Sequence, residues 1–209
     1  MSGRGSCRLV GVGERDGGGR LELREEGALR VAIGAGEQRW PGWLATGREE
    51  LDLLRPGMWA AFFGERRADA FLCEHVWEHL TEAEGRAAAA LCYAYLVPGG
   101  YLRCAVPDGN FPDAEYRRTI RVGGPGPADH PAADHKVVYD FRRFADVFVS
   151  AGFVVRLLEY CDEDGRFHAA GWDAADGPIY RSARGDRRNG DGVLRSVSII
   201  VDAVKGREA

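Results

Sequence analysis

The chain has 209 residues, 45% of them apolar and 29% charged, with a formal net charge of −4. That is enough for one domain with a self-supporting core, while mild acidity argues against sequence-independent nucleic-acid binding, which needs an excess of Lys and Arg. No apolar run approaches the roughly 18–20 residues of a membrane span. The five cysteines (Cys7, Cys73, Cys92, Cys104, Cys161) form no C-x-x-C pair, so a reduced, cytoplasmic chain is expected rather than a disulfide framework.

In chain order, residues 1–28 read as an N-terminal hairpin or arm. Two apolar-alternating runs, residues 8–12 and 20–23, flank the turn Asp16-Gly17-Gly18-Gly19. A single domain is expected over residues 29–209. Residues 29–33 form a short apolar run ending at Gly34-Ala35-Gly36, the profile of a buried parallel strand entering a tight turn. Residues 43–46 and 51–54 read as two more strand fragments, and residues 55–64, with Pro56 at the first turn, as a short helix. A strand over 68–73 leads to Glu74-His75, and Thr81 with Glu84 three positions on marks a helix start. That helix runs to about Leu96, where Pro98-Gly99-Gly100 stops it. A strand over 101–106, a helix over 141–151, and strands over 153–160 and 196–204 complete the pattern. Two long polar insertions, residues 109–136 and 162–195, read as loops, and long loops in compact domains are commonly functional. Strands alternating with helices imply an α/β fold, a Rossmann-like doubly wound sheet covered on both faces, mostly parallel with an antiparallel C-terminal strand. Ligands bind such sheets at the carboxyl ends of strands where the order reverses.

Three motifs carry the chemistry. Val31-Ala32-Ile33-Gly34-Ala35-Gly36 puts glycines where a ligand can approach the backbone. A dinucleotide fingerprint would need a further glycine where Arg39 stands. Glu74-His75-Val76-Trp77-Glu78-His79-Leu80 follows the strand over 68–73, and Leu96-Val97-Pro98-Gly99-Gly100-Tyr101-Leu102 precedes the next. Together, at this spacing, they resemble the class I S-adenosylmethionine-dependent methyltransferases of the type 11-like group over residues 29–106. The resemblance implies S-adenosylmethionine as cofactor and methyl transfer to a small-molecule acceptor by in-line displacement. It places Gly34 and Gly36 against the methionine part, Thr46 near the ribose, Asp52 and Leu53 at the adenine, and Glu74 and His75 after the fourth strand of the family. Two family carboxylates are missing, one where Ala32 stands and one near Thr46, with Glu49 and Glu50 as neighbours. Gly34→Val is expected to abolish cofactor binding while leaving the fold largely intact.

A general base would come from loops over the cofactor: His135 first, because an imidazole suits proton transfer near neutral pH, then Asp108 and His168. Arg181, Arg184, Arg187 and Arg188 are candidates for holding an anionic substrate. His75-Val76-Trp77-Glu78-His79 also satisfies the H-x-x-E-H pattern of a zinc-protease class, which on a helix puts both histidines on one face with Glu78 as general base. The strand-to-helix position argues against that reading, and no metal is expected. A zinc hydrolase and a non-catalytic, cofactor-binding scaffold are therefore the alternatives to methyl transfer. Nothing in the sequence sets the oligomeric state.

Overall fold

The structure is a computed structural model and describes residues 14–15, 21–22 and 27–207. Strands β1 (Glu14–Arg15) and β2 (Leu21–Glu22) pair antiparallel, with Arg15 opposite Leu21. The expected turn over 16–19 and the run over 8–12 lie outside the described residues.

The main sheet holds β3 (Arg30–Ile33), β4 (Leu44–Thr46), β5 (Ala68–Glu74), β6 (Leu96–Pro107), β7 (Val154–Cys161), β8 (Phe167–Ala169) and β9 (Ser198–Val204). Their spatial order is β4-β3-β5-β6-β9-β7-β8. The β4, β3, β5 and β6 neighbours are parallel, and β9 runs antiparallel between β6 and β7. This is the Rossmann-like, mostly parallel arrangement with an antiparallel C-terminal strand that the sequence predicts. From β3 the chain steps outward to β4 and returns to the other side of β3 as β5, so the strand order reverses between β3 and β5.

Both faces of the sheet are covered, by different means. Helices α1 (Pro56–Phe63), α2 (Glu82–Tyr95) and α4 (Phe141–Val149) share one apolar cluster with Phe71, Cys73 and Val201. On the other face, Ala32, Ala70, Leu72 and Ile200 pack against Trp40, Trp43 and Ile179, which come from connecting segments rather than helices. Alternation along β5 explains the split, since successive side chains of a strand point to opposite faces. Among the described residues no helix is long and apolar enough to cross a membrane.

Four local expectations change. Residues 51–54 are not a strand: the Asp52 carboxylate accepts from the Leu54 N–H at 2.8 Å and turns the chain, while Leu51 and Leu53 point into the core. Pro98-Gly99-Gly100 lies inside β6 rather than stopping α2, which ends at Tyr95. There it makes a bulge, with Ala68 opposite Leu96 but Ala70 opposite Tyr101. The first insertion contains a helix, α3 (Ala114–Ile120), capped by Asp113 and buried through Tyr116 and Ile120. The second contributes β8 to the sheet edge and two single 3-10 turns, Ala174–Asp176 and Arg187–Asn189.

Candidate active site: two cavities sharing a histidine wall

At the β3/β5 reversal lies a cavity of about 330 Å³. Its lining includes Ile33 and Gly34 after β3, Arg48, Leu51, Asp52 and Leu53 after β4, and His75, Val76 and His79 after β5. A second cavity of about 620 Å³ adjoins it, lined by His75, Glu78, His79, Tyr116, His130, His135 and the three arginines Arg181, Arg188 and Arg195. His75 and His79 line both. The sharp turn after β5 produces this wall. His75 is the one non-glycine residue with positive φ among the described residues (55°), and its N–H donates to Ala105 O at 2.8 Å. Such backbone is found where the surroundings over-determine it.

In the smaller cavity Asp52 is the buried acid. Burial pushes its carboxyl upward, but the Leu54 N–H and the Arg48 and Arg55 guanidinium groups outweigh this and hold it below the usual value. Gly34 adopts φ +65°, and a Cβ there would stand 2.6 Å from Cγ2 of Val76. The turn therefore requires glycine because Val76 closes over it, and the expectation that Gly34→Val spares the fold is corrected accordingly. Of the other expected cofactor residues, Leu53 and His75 line this cavity, but Gly36, Thr46 and Glu74 do not. Thr46 Oγ1 donates to Ala32 O at 3.0 Å, bracing β4 on β3. Glu74 accepts from the backbone N–H groups of Tyr180 (3.1 Å) and Arg181 (2.7 Å), pinning the second insertion over β5.

The expected proton-transfer residues separate. His135 is buried, lines the larger cavity and sits edge-on to the His79 ring, with centroids 4.9 Å apart. Asp108 lies outside the lining: its carboxylate accepts from Asn110 N at 2.8 Å and Cys161 N at 2.6 Å, tying the end of β6 to the end of β7. His168 is on the edge strand β8, bonded to Asp162 at 2.7 Å and stacked on Tyr160. Arg181 and Arg188 reach the larger cavity; Arg184 stacks on Trp172, and Arg187 lines a separate, open groove.

The H-x-x-E-H segment does not form the helix its zinc-protease reading needs. His75 precedes a single 3-10 turn, Trp77–His79, so its ring and that of His79 do not stack along one helical face. Instead Glu78 is 2% exposed, with neither carboxylate oxygen hydrogen-bonded. Sequence reasoning missed Arg48, Val76, Tyr116 and Arg195 as lining residues. Arg195 and Tyr116 lie in the insertions, where no periodicity marks them, and Val76 reads in sequence as an ordinary apolar spacer.

No protein-family model matches the chain, and no curated protein matches it. Solved structures do. An O-methyltransferase family protein from Burkholderia thailandensis is 13% identical over 79% of this chain, with a TM-score of 0.44. An S-adenosylmethionine-dependent methyltransferase from Archaeoglobus fulgidus is 14% identical over 86% of this chain and 87% of its own, with a TM-score of 0.49. Human N-acetylserotonin methyltransferase, solved with S-adenosylmethionine, is 12% identical over 86% of this chain, with a TM-score of 0.42. The chain spans 37% of the length of the Burkholderia protein and 41% of the human one.

Proposed function

We propose that this protein is an S-adenosylmethionine-dependent methyltransferase acting on a small-molecule acceptor. The observation that carries this reading is the pair of cavities meeting at His75 and His79. One stands at the strand-order reversal, where α/β sheets bind ligands, and the other opens beside it under the two insertions.

The residues of the smaller cavity fit an adenosine-bearing ligand. Leu51, Leu53, Leu54, Ile33 and Val76 offer an apolar slot, and Asp52, held ionised, offers an acceptor for ribose hydroxyls. Its volume lies at the lower end of the range of about 300–1,000 Å³ for ligand pockets. When bound, S-adenosylmethionine supplies an electrophilic methyl group on a sulfonium sulfur. The task of the chain is to hold an acceptor nucleophile in line with that methyl group and keep water away. The larger cavity suits this. Arg188 and Arg195 are paired with Asp186 and Asp191, but the guanidinium of Arg181 has no ion-pair partner among the described residues. It favours an acceptor that carries a carboxylate or phosphate. His135 lines the same cavity and is held by its Nδ1, which donates to Ile120 O at 3.0 Å.

Calorimetry with S-adenosylhomocysteine tests the reading. One equivalent is expected to bind, and Asp52→Ala to weaken it roughly tenfold to a hundredfold, the worth of a hydrogen bond to a charged group. No binding by the unaltered protein would remove methyl transfer.

A further inference from the structure

We propose that Glu78, His79 and His135 form a binding site for a divalent transition-metal ion, with Zn²⁺ the ion their donor set fits, in the wall between the two cavities. One ligand atom from each residue lies within 4.8 Å of those of the other two. Donors about 2.0 Å from a tetrahedral zinc stand about 3.3 Å apart, so closure needs side-chain movements of about 1 Å.

The first reason is Glu78. Its carboxylate is 2% exposed, and both oxygens lack a hydrogen-bond partner. Buried carboxylates are ordinarily paired or coordinate a metal. Nδ1 of His75 stands 3.2 Å from Oε1. The Ser198 hydroxyl has one proton, which it donates to Arg181 O at 2.9 Å; it therefore accepts from Nε2 of His75 at 3.0 Å. The buried carboxylate thus lacks the hydrogen bonds that would satisfy it, and a cation would supply its partner.

The second reason is the histidine tautomers. His79 Nδ1 meets the Asp134 carboxylate at 2.6 Å, and His135 Nδ1 meets the Ile120 carbonyl at 3.0 Å. Each Nδ1 therefore donates a proton, so Nε2 is the atom each ring would offer to a metal. Carboxylate and carbonyl partners at the second nitrogen are the usual supports of metal-bound imidazoles. Backbone bonds hold the set together, because Glu78 O accepts from Lys136 N at 2.8 Å and Val137 N at 3.2 Å, immediately after His135.

Two histidines and one glutamate leave coordination positions open, the pattern of catalytic rather than structural zinc. All three residues line the 620 Å³ cavity, so the open positions suit an oxygen of the acceptor. That use rests on the methyl-transfer reading; binding of the ion does not.

The test uses chelator-stripped full-length protein. Titration with Zn²⁺ alone is expected to show one site per chain, and Co²⁺ to give the visible absorption of a low-symmetry site. Glu78→Gln and His135→Gln should each weaken Zn²⁺ binding at least about 100-fold, and Asp134→Asn about 10-fold through His79. His130→Gln, in the same cavity but outside the cluster, should leave it unchanged. Thermal melts of the stripped variants control for folding; if Glu78→Gln does not fold, the half-exposed His79→Asn replaces it. No uptake of Zn²⁺ or Co²⁺, or equal affinity in the ligand variants, overturns the site. S-adenosylhomocysteine calorimetry on the same preparations separates the outcomes. Zn²⁺ binding without thioether binding keeps the ion and removes methyl transfer, and the reverse removes only the ion.

Discussion

At the scale of single residues, Gly34 shows how local conformation and packing converge. Its φ of +65° costs any side chain, and Val76 Cγ2 stands 2.6 Å from where a Cβ would go. Gly34→Ala is therefore expected to destabilise the fold by about 2–4 kcal/mol, from left-handed strain and overpacking together. Adding Val76→Ala should recover about 1 kcal/mol or more, leaving the strain; urea unfolding of the four proteins in the cycle measures it. Asp108 offers a pH-dependent counterpart. Burial pushes its carboxyl from the ordinary 3.8 up to about 6, against the pull of the Cys161 and Asn110 N–H groups. Between those values the folded chain still holds the proton that the unfolded chain has released. The stability Asp108 contributes is thus complete below about pH 4, falls as pH rises to about 6, and is flat beyond. The whole change is about 3 kcal/mol. In Asp108→Asn this slope should vanish, as paired urea titrations between pH 4 and 8 would show.

At the scale of elements, the signals that are local chemistry transfer directly from sequence to structure. Thr81 and Glu84 form the reciprocal capping box of α2: Thr81 N donates to Glu84 Oε2 at 2.7 Å, and Thr81 Oγ1 accepts from Glu84 N at 3.3 Å. Thr81→Ala should cost about 1 kcal/mol, read as a lower urea midpoint. The bonds from Thr81, with Lys136, hold the Glu84 carboxyl down at about 2. Its support for α2 is therefore full above its ordinary 4.5 and is lost as pH falls toward 2, a loss visible in the helical circular dichroism. The box is legible because all its atoms belong to four consecutive residues. Residues 51–54 were not legible, since an apolar alternation reads the same in a strand and in a turn whose two leucines face one core. Asp52 decides between them by taking the Leu54 N–H.

At the scale of the whole molecule, the second insertion is held to the sheet by buried polar contacts that no periodicity reveals. Arg103, 2% exposed, bonds both oxygens of Asp202 on β9 at 2.7 and 2.9 Å and reaches the carbonyls of Asp173 and Gly177. Glu159 accepts from Trp172 Nε1 and Ala183 N, at 3.0 and 2.7 Å. These contacts, with Glu74, set the segment that carries Arg181 into the larger cavity. Arg103→Leu strands a buried carboxylate and should cost about 3–5 kcal/mol, most of it recovered when Asp202→Leu is added. Chemical denaturation of the single and double variants checks this.

Composition, glycine placement and motif spacing determined the class of fold and the switch-point turn at Gly34, because strand periodicity, turn chemistry and capping act over a few consecutive residues. Tertiary structure alone decided that Asp108, Thr46 and Glu74 brace the frame instead of lining a cavity. It alone gathered Glu78, His79 and His135, separated by 57 positions from first to last, into one cluster with a buried carboxyl. Such groups meet only because parallel strands bring the ends of distant segments to the same edge, and that proximity is a property of the packed sheet.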